Sequence, residues 1–452
     1  MHSSLVRIKV GVPKRHRAYQ KEVKKLKKQL GVVVPHYQSA PLRASSPDDG
    51  DLPGLEDDEY DLPGLKNQYG PVEPGDPVHQ NYYTYNPRKP RWQPRMGRVA
   101  GASSVPGLSK LALFSWNIDY MAADFTIRKT LKRARMTAAL RALETATGIE
   151  PREQAPLSPQ TATVVFLQGC VREDLDILAE RPWQASQGRT TTMLIDRRLP
   201  LFNVFRAYYP ETSMARNALC VDIAMGAGGG LGPQGGGRYK TTRLCNTQLE
   251  GGLSSSKTPP TVRPAQMRRL AGLLKGGDGD SDSDKNNHVT AGIVAGDFHA
   301  TQDYDRTLPS ENGLRDAYLE LGGTEESEEG HTWGPQATTA AREGLGVERA
   351  RLDKVLYFPG SNNHNSDGGA QDDNRAGDGN DDDDAVILKP LRFKRFGAGV
   401  ELRPGAVKRN AEKVLAEMGC AKAWVTDHFG VMAEFEVVAG KKKTEDVVTD
   451  ST

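Results

Sequence analysis

The stretch from Val289 to Ala300 reads VTAGIVAGDFHA, an apolar run that stops at Gly296 and then presents Asp297 and His299. A short run rich in Val and Ile reads as a buried strand, and Gly allows a tight backbone turn at its end. Side chains two apart on an extended chain point the same way, so this strand would offer a carboxylate and an imidazole to one cleft. Other apolar runs end on Asn117, on Gln168, on Gln248 with Glu250, and on Asp427 with His428. Carboxylates suit a hard divalent cation, and imidazole and amide groups can hold a phosphate or a water. Phosphodiester hydrolysis needs these parts: a cation to neutralise the phosphate, a carboxylate to activate water, and a His to support the transition-state charge.

The groups need strands to hold them and helices to cover the strands. From Leu108, KLALFSWNID reads as a strand ending on Asn117 and Asp119, followed by a helix over Ile127 to Glu144 with Leu131, Ala134, Ala138, Leu140 and Leu143 on one side. TATVVFLQGC is a strand ending on Gln168, and TTTMLIDRRL with FNVFRAYYP reads as a hairpin. NALCVDIAM and RLCNTQLEGG are two more strands, split by a Gly-rich loop. RPAQMRRLAGLLKG is a helix with Pro264 in its first turn and Met267, Leu270, Ala271 and Leu274 on its apolar side. After the Asp297 strand, ENGLRDAYLELGG reads as a short helix ending at Gly322, and HTWG, RLDKVLYF and AWVTDHFGVMAEFEV as strands. Strands in two sets, each followed by helices, fit an α+β or four-layer sandwich better than a doubly wound parallel sheet.

The 452 residues include 47 Gly and 28 Pro with only 37% hydrophobic residues, so much of the chain lies outside any core. The formal charge of +2 hides opposed blocks. Met1 to Pro47 holds 11 Lys or Arg against one acid, and Asp48 to Leu65 holds eight acids and no base. DLPGL occurs twice, at Asp51 and Asp61, either as a linear docking motif for a protein partner or as low complexity. The expected organisation is a disordered tail over 1–107, one folded domain over 108–440 and a tail over 441–452. Disordered insertions are expected near 226–237, 276–288 and 360–384. The basic segment Tyr19 to Leu30 and the stretch NYYTYNPRKPRWQPR read as solvated linkers or as nucleic-acid contacts. No run approaches the ~20 apolar residues of a membrane span, so no membrane partner is expected. The four cysteines have no CxxC pair and suit a reducing compartment, which implies an intracellular protein, nuclear or cytoplasmic, with a mitochondrial presequence left open.

Taken together, SWNID, FLQGC, CNTQLEGG, AGDFHA and VTDHFG resemble, in order, the WN, LQE, THLE, GDxN and SDHxG motifs of the endonuclease/exonuclease/phosphatase family. Within it they are most similar to tyrosyl-DNA phosphodiesterase-type members. The resemblance covers about Leu111 to Val437. It implies a four-layer α/β/β/α sandwich of two mixed sheets, a divalent cation (normally Mg), and hydrolysis of phosphodiesters, commonly in nucleic acid or at a phosphotyrosyl-DNA link. Carried over by position, Asn117 and Asp427 would serve the metal, and Asp297 would activate water. Asp427 would also position His428, which would contact the scissile phosphate, with His299 and Gln248 completing the catalytic set. Arg216, Trp333 and Asn117 are the candidates for substrate contact.

Three departures bear on activity. The Glu of the LQE motif is Gly169, the His of THLE is Gln248, and the Asn of GDxN is His299. Glycine has no side chain to ligate with, and an amide cannot transfer a proton near neutral pH. Glu173 and Glu250 are the nearby carboxylates that could substitute, and Gly169→Glu is the expected remedy. Two functions therefore stand: a metal-dependent phosphodiesterase, or an inactive family member serving as a nucleic-acid or protein binding module.

Overall fold

In a computed structural model of the chain, the described residues are 77–86, 91–95, 107–119, 125–148, 158–170, 184–187, 191–212, 214–225, 239–251, 261–276, 287–360, 386–405, 419–420 and 422–439, with isolated positions between 174–178 and 409–416. The strands are β1 (Pro77–His79), β2 (Tyr82–Asn86), β3 (Arg91–Arg95), β4 (Lys110–Asn117), β5 (Thr161–Gln168), β6 (Gln184–Gln187), β7 (Thr191–Ile195) and β8 (Leu201–Tyr208). They continue with β9 (Asn217–Ile223), β10 (Tyr239–Gln248), β11 (Asn287–Asp297), β12 (Arg315–Asp316), β13 (Asp353–Phe358), β14 (Val386–Phe396) and β15 (Gly430–Ala439). The longest helices are α1 (Phe125–Ala146) and α2 (Val262–Leu274).

One sheet runs β1-β8-β9-β10-β11-β13-β12 and the other β14-β15-β4-β5-β7-β6-β2-β3. Both are mixed, with β10–β11 and β4–β5 parallel. Alternation along the strands sets the layers. Leu111, Leu113, Val164 and Phe166 of one sheet meet Leu219, Val221, Leu244, Ile293 and Tyr357 of the other. The residues between them, Ala112, Phe114, Trp116, Val165 and Leu167, face outward onto Met136, Leu140 and Leu143 of α1. On the far side Cys220, Cys245, Val294 and Leu356 pack on Met267, Leu270 and Leu274 of α2. The order is helix, sheet, sheet, helix, the four-layer sandwich that the motifs imply. Each fully buried Leu or Phe contributes about 2 kcal/mol, whereas an exposed ion pair contributes under about 1 kcal/mol. The apolar layers therefore hold the sandwich together.

The register brings the polar strand ends into line. Asn117 lies opposite Gln168, Gln248 opposite Asp297, and Asp297 opposite Asp353. Gly296 does not turn the chain, as its sequence context suggested; β11 continues through it to Asp297. Its φ is +150°, and a Cβ there would lie 1.8 Å from the Thr247 carbonyl oxygen, so only glycine lets β11 approach β10 this closely.

Several expectations are corrected. Residues 77–79, 82–86 and 91–95 are strands of the two sheets, so part of the stretch read as disordered tail is folded. The expected hairpin does not form. β7 pairs with β5 and β6, while β8 crosses to the other sheet and pairs with β1 and β9. All five residues of β7 are buried and both its edges are taken, which leaves β8 no place beside it. The helix expected over ENGLRDAYLELGG is only Ala317–Glu320, because Arg315 and Asp316 extend to pair with β13. β14, rich in Lys and Arg, is a strand that charge masked. The basic segment at Tyr19, the DLPGL repeats, Glu173, residues 226–237, all of 360–384 but Gly360, most of 276–288, and the tail from 441 lie outside the described residues. Among the described residues no helix is long and apolar enough to cross a membrane.

Candidate active site

The ends of β4, β10 and β11 and the start of β13 deliver Asn117, Gln248, Asp297 and Asp353 to one end of the sandwich, where the loop before β15 adds Asp427 and His428. Asp297 is the hub. Its Oδ2 accepts Asn117 Nδ2 at 2.9 Å and Gln248 Nε2 at 3.2 Å, and its Oδ1 accepts the His299 N–H at 3.0 Å. The Asn117 bond joins the two sheets across the core. His299 turns back at φ +46°, which brings its Nε2 to 3.2 Å from Asp297 Oδ2. Asp297 and His299 thus meet, but through a left-handed turn rather than simple strand alternation.

His428 Nδ1 bonds Asp353 Oδ2 at 2.8 Å, and its Nε2 lies 4.0 Å from Asp297 Oδ2 and 3.5 Å from Asn117 Nδ2. Burial opposes a charge on His428, but Asp353, Asp297 and Asp427 together lift its pKa to about 10. Burial pushes Asp353 up to about 6 against the pull of His428. The pair is held as imidazolium and carboxylate. Asp297, although buried, stays below the usual carboxylate range because His299 and His428 favour its charge. Burial brings His299 down to about 4, so it is neutral at pH 7, and its buried Nδ1 has no hydrogen-bond partner among the described residues.

The expected partnership of Asp427 with His428 is replaced. Asp427 Oδ2 accepts the Trp333 indole N–H at 3.1 Å, and Asp353 is the group that orients His428. Asp353 went unrecognised in RLDKVLYF; the signal was a lone acid opening an apolar strand whose other inward residues are hydrophobic. Trp333 is 2% exposed, and its backbone bridges to Ala350 and His428, so it supports the site from within and does not wall a cleft. Arg216 is in the site: its guanidinium donates to Gln248 Oε1 and lies within electrostatic reach of Asp297, Glu250 and Asp119. Gln168 is not. Its Nε2 donates to Ser115 Oγ at 3.0 Å and Asn246 Oδ1 at 2.8 Å inside the core. Glu250 accepts the Thr212 hydroxyl at 2.6 Å.

For a cation, Asp297, Asp353 and His428 bring ligand atoms within 4.8 Å of one another, all buried. There the His428 proton already balances part of the carboxylate charge. Asp427 differs, since its Oδ1 is buried and has no hydrogen-bond partner among the described residues. An all-oxygen position of this kind fits a hard divalent ion such as Mg. Asn117 Oδ1 accepts the Asp119 N–H at 2.9 Å, which commits part of the second expected metal group to the loop.

No family model matches the chain, and no curated protein matches it. Solved structures similar to it include the TDP2 of D. rerio complexed with a single-strand DNA product, at 18% identity over 73% of this chain and 99% of that chain, with a TM-score of 0.43. The TDP2 of C. elegans is 16% identical over 75% of this chain and 78% of that chain, with a TM-score of 0.43. ANGEL2, described as a 2',3'-cyclic phosphatase, is 11% identical over 75% of this chain and 99% of that chain, with a TM-score of 0.38.

Proposed function

We propose that the chain is a metal-dependent phosphodiester hydrolase acting on nucleic acid or on a phosphotyrosyl-DNA link. The observation that carries this reading is the His428 ring, oriented by its 2.8 Å bond to Asp353 and with its Nε2 toward the space shared by Asp297 and Asn117. Asn117 Nδ2 is itself a donor and Asp297 Oδ2 is 4.0 Å away, so the Nε2 proton is committed to no short bond. It is placed to meet a non-bridging phosphate oxygen as charge develops there. Asp297, kept ionised, accepts the proton of the attacking water. Arg216 holds a phosphate oxygen with donors that Gln248 does not use. Asp353 and Trp333 are positioning residues, the first for His428 and the second for Asp427. When bound, a divalent cation supplies charge neutralisation at the phosphate and its departing oxygen.

A second reading, a binding module without turnover, is supported by one observation. Both oxygens of Asp297 already accept hydrogen bonds, from His299, Asn117 and Gln248, which leaves little capacity for a water proton. The two readings separate in a turnover assay of the full chain with Mg on a 5'-phosphotyrosyl oligonucleotide, single-strand DNA, RNA and bis(p-nitrophenyl) phosphate. Hydrolysis of at least one is expected, slow relative to an intact metal shell. Salt-sensitive binding of the oligonucleotides that is lost on deleting Met1 to Pro47, with no hydrolysis of any substrate, would favour the binding module.

A further inference from the structure

We propose that Thr212 and Glu250 are positioning residues that hold the Arg216 guanidinium in place to receive a phosphate oxygen. The proposal deepens the hydrolase reading above and rests on it. Arg216 stands just before β9 and is 6% exposed. Its Nη1 donates to Gln248 Oε1, and its Nη2 meets the Met214 thioether at 3.5 Å. Its Nε is buried and has no hydrogen-bond partner among the described residues. A buried guanidinium with one donor unpaired and another on a weak sulfur acceptor is short of acceptors, and a phosphate anion supplies them. Met214 is 39% exposed, which leaves it room to give way to an incoming oxygen.

The backbone beneath the guanidinium is under constraint. Ala215 has a φ of +53°, a left-handed conformation that a non-glycine residue keeps only when its surroundings impose it. Thr212 imposes it. Its Oγ1 accepts the Arg216 N–H at 2.9 Å and the Met214 N–H at 3.3 Å, so one hydroxyl holds the chain on both sides of Ala215. The same hydroxyl donates to Glu250 Oε2 at 2.6 Å. Glu250 is itself anchored: its N–H donates to Gln266 Oε1 of α2 at 2.9 Å, and Gln266 Nε2 donates to the Glu211 carbonyl at 3.3 Å. The end of β10, α2 and the loop before β9 are thereby tied together beside Arg216. Glu250 also acts through its charge, because with Asp297 it favours the charged Arg216 against the effect of burial. The carboxylate that the sequence offered as a substitute metal ligand therefore serves an arginine.

The test is binding of inorganic phosphate by the full chain, read by the phosphorus NMR line width in enough salt to screen the exposed basic segments. It needs no turnover. Wild type is expected to bind, and Arg216→Ala to weaken binding about tenfold or more. Thr212→Val, which keeps the shape of the side chain, and Glu250→Ala should each weaken it about tenfold. Thr212→Ser keeps the donor and Glu250→Gln keeps the acceptor, so both should bind at least as well as half of wild type. Added to Arg216→Ala, Thr212→Val should weaken binding no further, because it acts through the arginine. Thr212→Val that binds as wild type, or that loses as much without Arg216 as with it, would overturn the proposal and leave the hydrolase reading standing. Phosphate binding that Arg216→Ala leaves unchanged, or no binding by wild type, would overturn the proposal together with the phosphate contact given to Arg216, and the turnover assay above would then decide the rest of the hydrolase reading.

Discussion

His428 Nδ1 lies 2.8 Å from Asp353 Oδ2, between residues 75 positions apart, and both side chains are buried. The pair gives the site a proton that is held, oriented and available at neutral pH.

Asp353→Asn should remove that hold. With Asp353 present, the His428 pKa rises from its ordinary 6.5 to about 10. A pKa raised on folding gives stability that is full below about pH 6.5 and is lost as pH climbs toward 10. The thermal midpoint of wild type should fall across that window, and the fall should be shallower in Asp353→Asn. Turnover in the variant should drop roughly 100-fold or more, because the imidazole loses both orientation and charge. An unchanged pH profile of stability would show that the pair does not titrate as described.

Gly169→Glu is not the remedy the sequence suggested. The left-handed φ of +71° and the 2.3 Å approach to Asp119 Cβ mean that any side chain there must displace the loop after β4. Gly169→Ala alone should cost roughly 2 kcal/mol, combining backbone strain with overpacking. Gly169→Glu should cost at least as much and bind Mn no more tightly than wild type. Urea unfolding and a Mn titration check both, and a stable Glu variant with tighter Mn binding would contradict the geometry.

Arg243 and Asp222 form a buried bidentate pair at 2.7 and 2.9 Å between β10 and β9, and Arg243 also donates to the Leu273 carbonyl of α2 at 3.0 Å. Arg243→Ala strands a buried carboxylate and should destabilise by about 3–5 kcal/mol. Replacing both, as Arg243→Met with Asp222→Leu, should recover most of that loss. A urea midpoint for Arg243→Ala within error of wild type would show that Asp222 finds another donor.

The strands that carry the motifs were legible because apolar runs with polar ends survive without knowledge of their neighbours. Partnership was not. Asp427 adjoins His428 in sequence, yet neighbours on an extended chain face opposite ways, so one meets Trp333 and the other meets Asp353 from a different sheet. TTTMLIDRRL and FNVFRAYYP were legible as the strands β7 and β8, but a strand's own residues say nothing about which sheet it joins. β2 and β3 carry Tyr, Pro and Arg, a composition that reads as linker, and become strands only by pairing with each other and with β6. Asp119 was visible as a strand-end acid, but its approach to Gly169 comes from the parallel pairing of β4 and β5.

The account rests most on Asp297 and His428 acting together on a phosphodiester. The direct measurement is the single-turnover rate of the full chain with Mg on whichever substrate of the panel it cleaves, for wild type, Asp297→Asn, His428→Asn and the double variant. Each single variant should lose roughly 100-fold or more, and the double should fall little further, because the two groups serve one transition state. Turnover that survives in Asp297→Asn and His428→Asn alike would place the chemistry elsewhere and contradict the account.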